Sequence, residues 1–147
     1  MLVIVWVIQG LCMFFDEFYF HHRRGLGRWE SIGHPVDTLF FLLPFIFCLN
    51  FSPVELSESI FIASSIISTL IITKDEWIHA EQSSPAENWL HSLLFILHPL
   101  SLGVLYFYWK NGENFLITFQ TGIISLFFIY QVVYWNILKK DRYEIKN

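Results

Sequence analysis

Five stretches of this chain are apolar for about the length of a bilayer crossing, and nothing else in the sequence constrains the fold as strongly. A membrane-spanning helix needs about 20 mostly apolar residues. Leu2 to Phe20, Val36 to Pro53, Ser59 to Thr73 with a continuation through His79, Trp89 to Trp109, and Phe115 to Leu138 answer that demand. The sequence therefore predicts a single polytopic membrane domain over residues 1–147, with helices at about 2–22, 35–53, 57–80, 85–109 and 114–139. The connections are too short to hold a soluble domain, so consecutive helices are expected to be antiparallel neighbours. The expected fold is all-α: an up-down bundle of five transmembrane helices.

Composition agrees. Only 15% of residues are charged and 54% are hydrophobic, against about 25% charged in soluble domains. A net charge of −4 without a basic face excludes a nucleic-acid partner. Cys12 and Cys48 lie far apart in apolar runs, which is neither a disulfide framework nor a zinc knuckle. The first segment lacks a basic leader and a small-residue cleavage site, so it reads as a retained helix.

Basic residues orient the bundle. Arg23, Arg24, Arg28, Lys74, Lys139, Lys140, Arg142 and Lys146 fall on one side of the five-helix arrangement and Lys110 alone on the other. The positive-inside rule puts the N-terminus outside and the C-terminus in the cytoplasm. In a bacterium the expected location is the cytoplasmic membrane.

The same topology gathers the histidines. Helix one ends in Asp16, Glu17, His21 and His22, and helix two begins with His34, Pro35 and Asp37. Helix three ends in Asp75, Glu76 and His79, and helix four begins with Glu87 and His91. Two ends and two starts in alternation meet at one face, the cytoplasmic one. The two helical hairpins form a loose internal repeat of this pattern, while helix five, with no His or carboxylate in its span, reads as a packing element. Residues three or four apart share a helix face. Glu17/His21, His34/Asp37, Glu76/His79 and Glu87/His91 thus offer a carboxylate and an imidazole in common directions. Those are the ligands of zinc, non-haem iron and manganese.

Simpler roles compete at single positions. Ser84 and Pro85 make Glu87 a candidate capping residue, and Asp37 suits the positive end of a helix dipole. Glu30 and Glu81 read as loop residues, and Arg23 and Arg24 as a solvated loop or a cradle for a substrate headgroup. Asp16 faces either the lipid interface or the site. His98, two turns beyond His91 and followed by Pro99, is costly to bury and should point to a partner.

Glu76-Trp77-Ile78-His79 resembles the Glu-x-x-His element of ferritin-like di-iron carboxylate proteins. The other two Glu/His pairs have the wider Glu-x-x-x-His spacing. As a theme, a His-rich di-metal centre at one face of a small helical bundle is similar to membrane fatty-acid desaturases and hydroxylases, although the His-x-x-His-His boxes of those enzymes are absent. The joint pattern of four imidazoles and four carboxylates at one face predicts a site for two metal ions, iron ahead of zinc or manganese, with Glu17, His21, His34, Asp37, Glu76, His79, Glu87 and His91 as candidate ligands.

Three functions are expected in order. The first is an O₂-dependent oxidoreductase on a lipid or isoprenoid, with an external electron donor and with Asp75 and His98 as candidate catalytic groups. The second is a zinc-dependent membrane lipid hydrolase, with Arg23 and Arg24 holding the headgroup. The third is a non-enzymatic metal- or proton-handling subunit of a membrane complex. An oligomer is compatible with each.

Overall fold

The computed structural model describes residues 2–74, 76, 81 and 83–139. Among these the chain is all-helical, with five long helices: α1 (Val3–Arg24), α2 (Arg28–Asn50), α3 (Glu55–Ile71), α4 (Pro85–Lys110) and α5 (Asn114–Leu138). Four of them, α1, α2, α4 and α5, are long and apolar enough to cross a membrane. At 17 residues α3 is the short one, about 25 Å against a hydrocarbon core of about 30 Å. The sequence predicts a helix as far as residue 80; α3 is followed by turns at 72–74, residue 76 is helical, and residues 75 and 77–80 lie outside the described residues.

α2 packs most extensively on α5 and α3, and α1 on α4. α1 and α4 run antiparallel. Trp6 Nε1 donates to the Ser101 carbonyl near one end (3.0 Å), and Asp16 meets His91 near the other. α2 and α5 do the same, through Thr38 to Gln131 (2.7 Å) and Asn136 to the Ser31 carbonyl (2.7 Å). Beyond the histidine cluster the bundle closes on an apolar core of Trp6, Phe45, Leu105, Tyr108 and Ile117, with Phe41 joining it to His98. Trp6 lies edge-on to Tyr108 at 5.3 Å between ring centroids, a favoured aromatic geometry. The outward faces carry Ile4, Leu11, Leu70, Leu126 and Phe115, all well exposed.

The helices begin and bend for local reasons. Ser84 caps α4 by accepting from the Glu87 amide (3.3 Å), with Pro85 in the first turn, where no N–H is needed. α2 starts at Arg28, seven residues before the position predicted from Pro35. Gly25, at φ +76°, makes the turn that separates it from α1. Gly27 precedes the first helical residue, and its N–H donates to the Glu30 carboxylate (3.0 Å). Glu30, read from sequence as a loop residue, is therefore a buried cap.

This early start leaves Pro35 inside the helix, where it cannot donate to the Ser31 carbonyl. Asn136 of α5 supplies the missing donor. Asn136→Leu should leave that carbonyl unsatisfied and lower stability by about 1–3 kcal/mol. Denaturant unfolding in detergent checks this; an unchanged midpoint would show that the bond carries no stability.

Two segments depart from α geometry. Residues Asp16–His21 of α1 and Val132–Leu138 of α5 are π-helical. Such turns are uncommon and concentrate at functional sites.

Candidate metal centre

The π turn decides which residues meet. In an α-helix, residues five apart point about 140° away from each other. Hydrogen bonding from i to i+5 widens the turn and brings them round to one side. Asp16 and His21 are five apart, and the His21 Nε2 lies 3.3 Å from Asp16 Oδ2. Antiparallel packing then adds two residues from the first turns of α4. His91 Nε2 lies 3.0 Å from Asp16 Oδ1, and Glu87 Oε1 lies 3.8 Å from His21 Nε2. Asp16, His21, Glu87 and His91 each offer one ligand atom, all within 4.8 Å of one another. All four are between 0 and 7% exposed. Two imidazoles and two carboxylates in this arrangement can hold a divalent metal ion.

Around them stand the groups that fix them. Glu17 Oε2 is 3.7 Å from His21 Nδ1, the nitrogen turned away from the cluster. Glu17 in turn accepts from Trp135 Nε1 and from Gln131 Nε2 (3.2 Å), both on α5. Carboxylate partners behind a metal-binding histidine hold its ring and tautomer. The structure thus places Glu17 behind His21, outside the group of four ligand atoms. Gln131 accepts from Thr38, extending the network into α2. The fifth helix, which reads from sequence as packing alone, supplies this second layer.

Arg24 answers the remaining negative charge. Its guanidinium forks onto Glu30 (2.8 and 3.0 Å) and reaches Glu87 Oε1 (2.9 Å). A bidentate arginine–carboxylate pair is geometrically specific and strong. Arg24, expected from sequence at a substrate headgroup, is here paired with two buried carboxylates. Arg23 is exposed and donates to the Tyr19 hydroxyl (2.6 Å).

The other predicted residues sort as follows. His34 stacks obliquely on His21, 4.5 Å between centroids, at the edge of the cluster. Asp37 lies inside α2, not at its start, and takes a two-oxygen contact from Lys74 (2.7 Å each). Glu76 is partly buried. Asp75 and His79 lie outside the described residues. His98 is buried against Ser68, with Nε2 2.9 Å from the hydroxyl oxygen. Asp16 was left undecided by the sequence, since α spacing pairs Glu17, not Asp16, with His21. Trp135, Gln131 and Lys74 gave no signal, because their partners are distant in sequence.

A cavity of about 100 Å³ runs from Asp16 and His91 inward along α4 to His98. Its walls are mostly apolar, with Met13, Phe41, Leu94, Phe95 and Phe127 prominent. Comparison with protein-family models, with characterised proteins and with solved structures found no match to this chain.

Glu17→Gln keeps the shape of the side chain while removing the charge behind His21. It should weaken metal binding by about 10–100-fold with the fold intact. Chelator competition on the purified protein measures this, with circular dichroism as the folding control. Unchanged affinity would take Glu17 out of the centre's support.

Proposed function

We propose that the protein is an integral membrane metalloenzyme, an O₂-dependent oxidoreductase of hydroxylase or desaturase type acting on the apolar chain of a lipid or isoprenoid. One observation carries the reading. A buried cluster of two histidines and two carboxylates opens directly onto an apolar cavity inside the bundle. Ionisable groups within membrane helices are expensive, and are kept where they do chemistry. An apolar cavity beside a metal ligand set suits attack on a C–H bond. Hydrolysis would need a group to hold the polar head; with Arg24 paired to Glu30 and Glu87, that role would fall to the exposed Arg23.

In this reading Asp16, His21, Glu87 and His91 hold the metal. Glu17, Trp135 and Gln131 steady His21, and Arg24 with Glu30 steadies Glu87. A second ion would be sought beside His34, with Glu76 as a further donor; the Glu76 Oε2 atom is buried without a hydrogen-bond partner among the described residues. Bound iron would supply the activation of O₂. Hydroxylation balances as R–H + O₂ + 2e⁻ + 2H⁺ → R–OH + H₂O, so an external electron donor is part of the proposal. The cavity walls exclude bulk water and hold the chain against the ligand cluster.

The bundle crosses the membrane with its N-terminus outside and the centre at the cytoplasmic face. Exposed Trp29 and Trp89, at the starts of α2 and α4, suit the level of the interface. Single cysteines at Glu81 and Glu113, in a chain with Cys12 and Cys48 replaced by Ala, test this. An impermeant thiol reagent should label position 113 in intact cells and position 81 only after permeabilisation. The reverse pattern would invert the orientation.

Metal content and absorption of the purified protein, before and after O₂, test the function. One or two irons per chain with a ligand-to-metal band that changes on oxygenation is the expected result. Stoichiometric zinc alone would replace the oxidoreductase with the hydrolase, and no stoichiometric metal would overturn both.

A further inference from the structure

We infer that the cavity beside the metal cluster takes an aliphatic chain carrying one neutral oxygen function, a hydroxyl or a carbonyl, and that His98 with Ser68 is the pair that recognises it. This narrows the substrate class of the function proposed above and rests on that reading for the chemistry, though not for the binding.

His98 is seven residues beyond His91 on α4, about 10 Å further into the bundle, and only 5% exposed. Both side chains line the same cavity, so an occupant reaching from the cluster inward ends at the His98 ring. Nε2 of that ring is engaged by Ser68, and a neutral imidazole has a second nitrogen for another partner. The face of the ring is set by Phe41, 4.6 Å away between centroids. Of the other polar groups in the wall, Thr38 is bonded to Gln131 and Gln131 to Glu17, while the Gln9 amide faces the same space as a second neutral group.

The charge of the occupant follows from the walls. Among the described residues no lysine or arginine lines the cavity. A carboxylate carried down to His98 would lie in a low-dielectric interior with no cation in the wall to answer it, which is unfavourable. A plain hydrocarbon would leave the imidazole nitrogen facing CH₂ groups, which is also unfavourable. A neutral hydroxyl or carbonyl on an otherwise apolar chain satisfies both ends. The apolar walls then hold the carbons that lie nearest Asp16 and His91.

The test uses full-length protein labelled with [¹⁵N]histidine in nanodiscs, titrated with hexane, 1-hexanol, 2-hexanone and hexanoate. The His98 ring resonance is assigned by its loss in His98→Leu, or by its displacement in Ser68→Ala if that first variant does not fold. 1-Hexanol or 2-hexanone should shift it saturably, and thermal stabilisation should give affinities about three- to tenfold above hexane, the worth of one hydrogen bond. His98→Asn should keep the preference and His98→Leu should level it. An equal response to hexane, no response to any probe, or tightest binding of hexanoate would overturn the proposal. Absence of bound metal would sink the oxidoreductase while leaving this binding result standing, so the two failures are separable.

Discussion

Burying a carboxylate in a low-dielectric interior is affordable only when something answers its charge, and one end of this bundle is organised around that requirement. Asp16, Glu17, Glu30 and Glu87 are all at most 6% exposed, with one arginine among them. Each is answered differently. Arg24 bridges Glu30 and Glu87, the neutral donors Trp135 and Gln131 hold Glu17, and Asp16 faces the two imidazoles of His21 and His91. Asp37, a little further along α2, is paired with Lys74. The formal balance around Asp16 is the one left for histidine protons or a bound cation to settle, and that is where the ligand atoms converge.

This arrangement divides labour among the helices. α1 and α4 present the ligand atoms, α2 contributes Glu30 and the neighbouring His34, and α5 supports from behind. Each support is also a packing contact between helices, as with Trp135 on Glu17 and Asn136 on Ser31. The polar end is therefore tied to the bundle's assembly: displacing α5 removes both the hydrogen bonds behind His21 and the donor that α2 needs at Pro35.

Much of this was legible in the sequence. The apolar runs located the helices because their length and hydropathy are properties of single segments, and Glu87/His91 and Glu17/His21 stood out by i,i+4 spacing. What was not legible depended on contacts across the chain or on departures from ideal geometry. The start of α2 was hidden because Gly25, Gly27 and Pro35 look like a loop, while the groups that make a helix possible there are the Glu30 side chain and an asparagine 105 residues away. Lys74 looked like an orientation-setting charge, and only the fold reveals Asp37 opposite it. Asp16 is ambiguous in the sequence because 3.6 residues per turn does not hold through the π turn that aims it.

That stretch makes the centre depend on how one turn is wound. A π turn accommodates one residue more than the α-helical path requires. With all its residues kept but wound as an α-helix, the same stretch would turn His21 about 140° from Asp16 and take it out of the cluster. Excising one residue between them would instead leave the two four apart, about 40° apart on a continuous α-helix, so their pairing would outlast the wide turn. Composition and residue order are the same in the α-wound and π-wound forms of this stretch, and the centre exists only in the second.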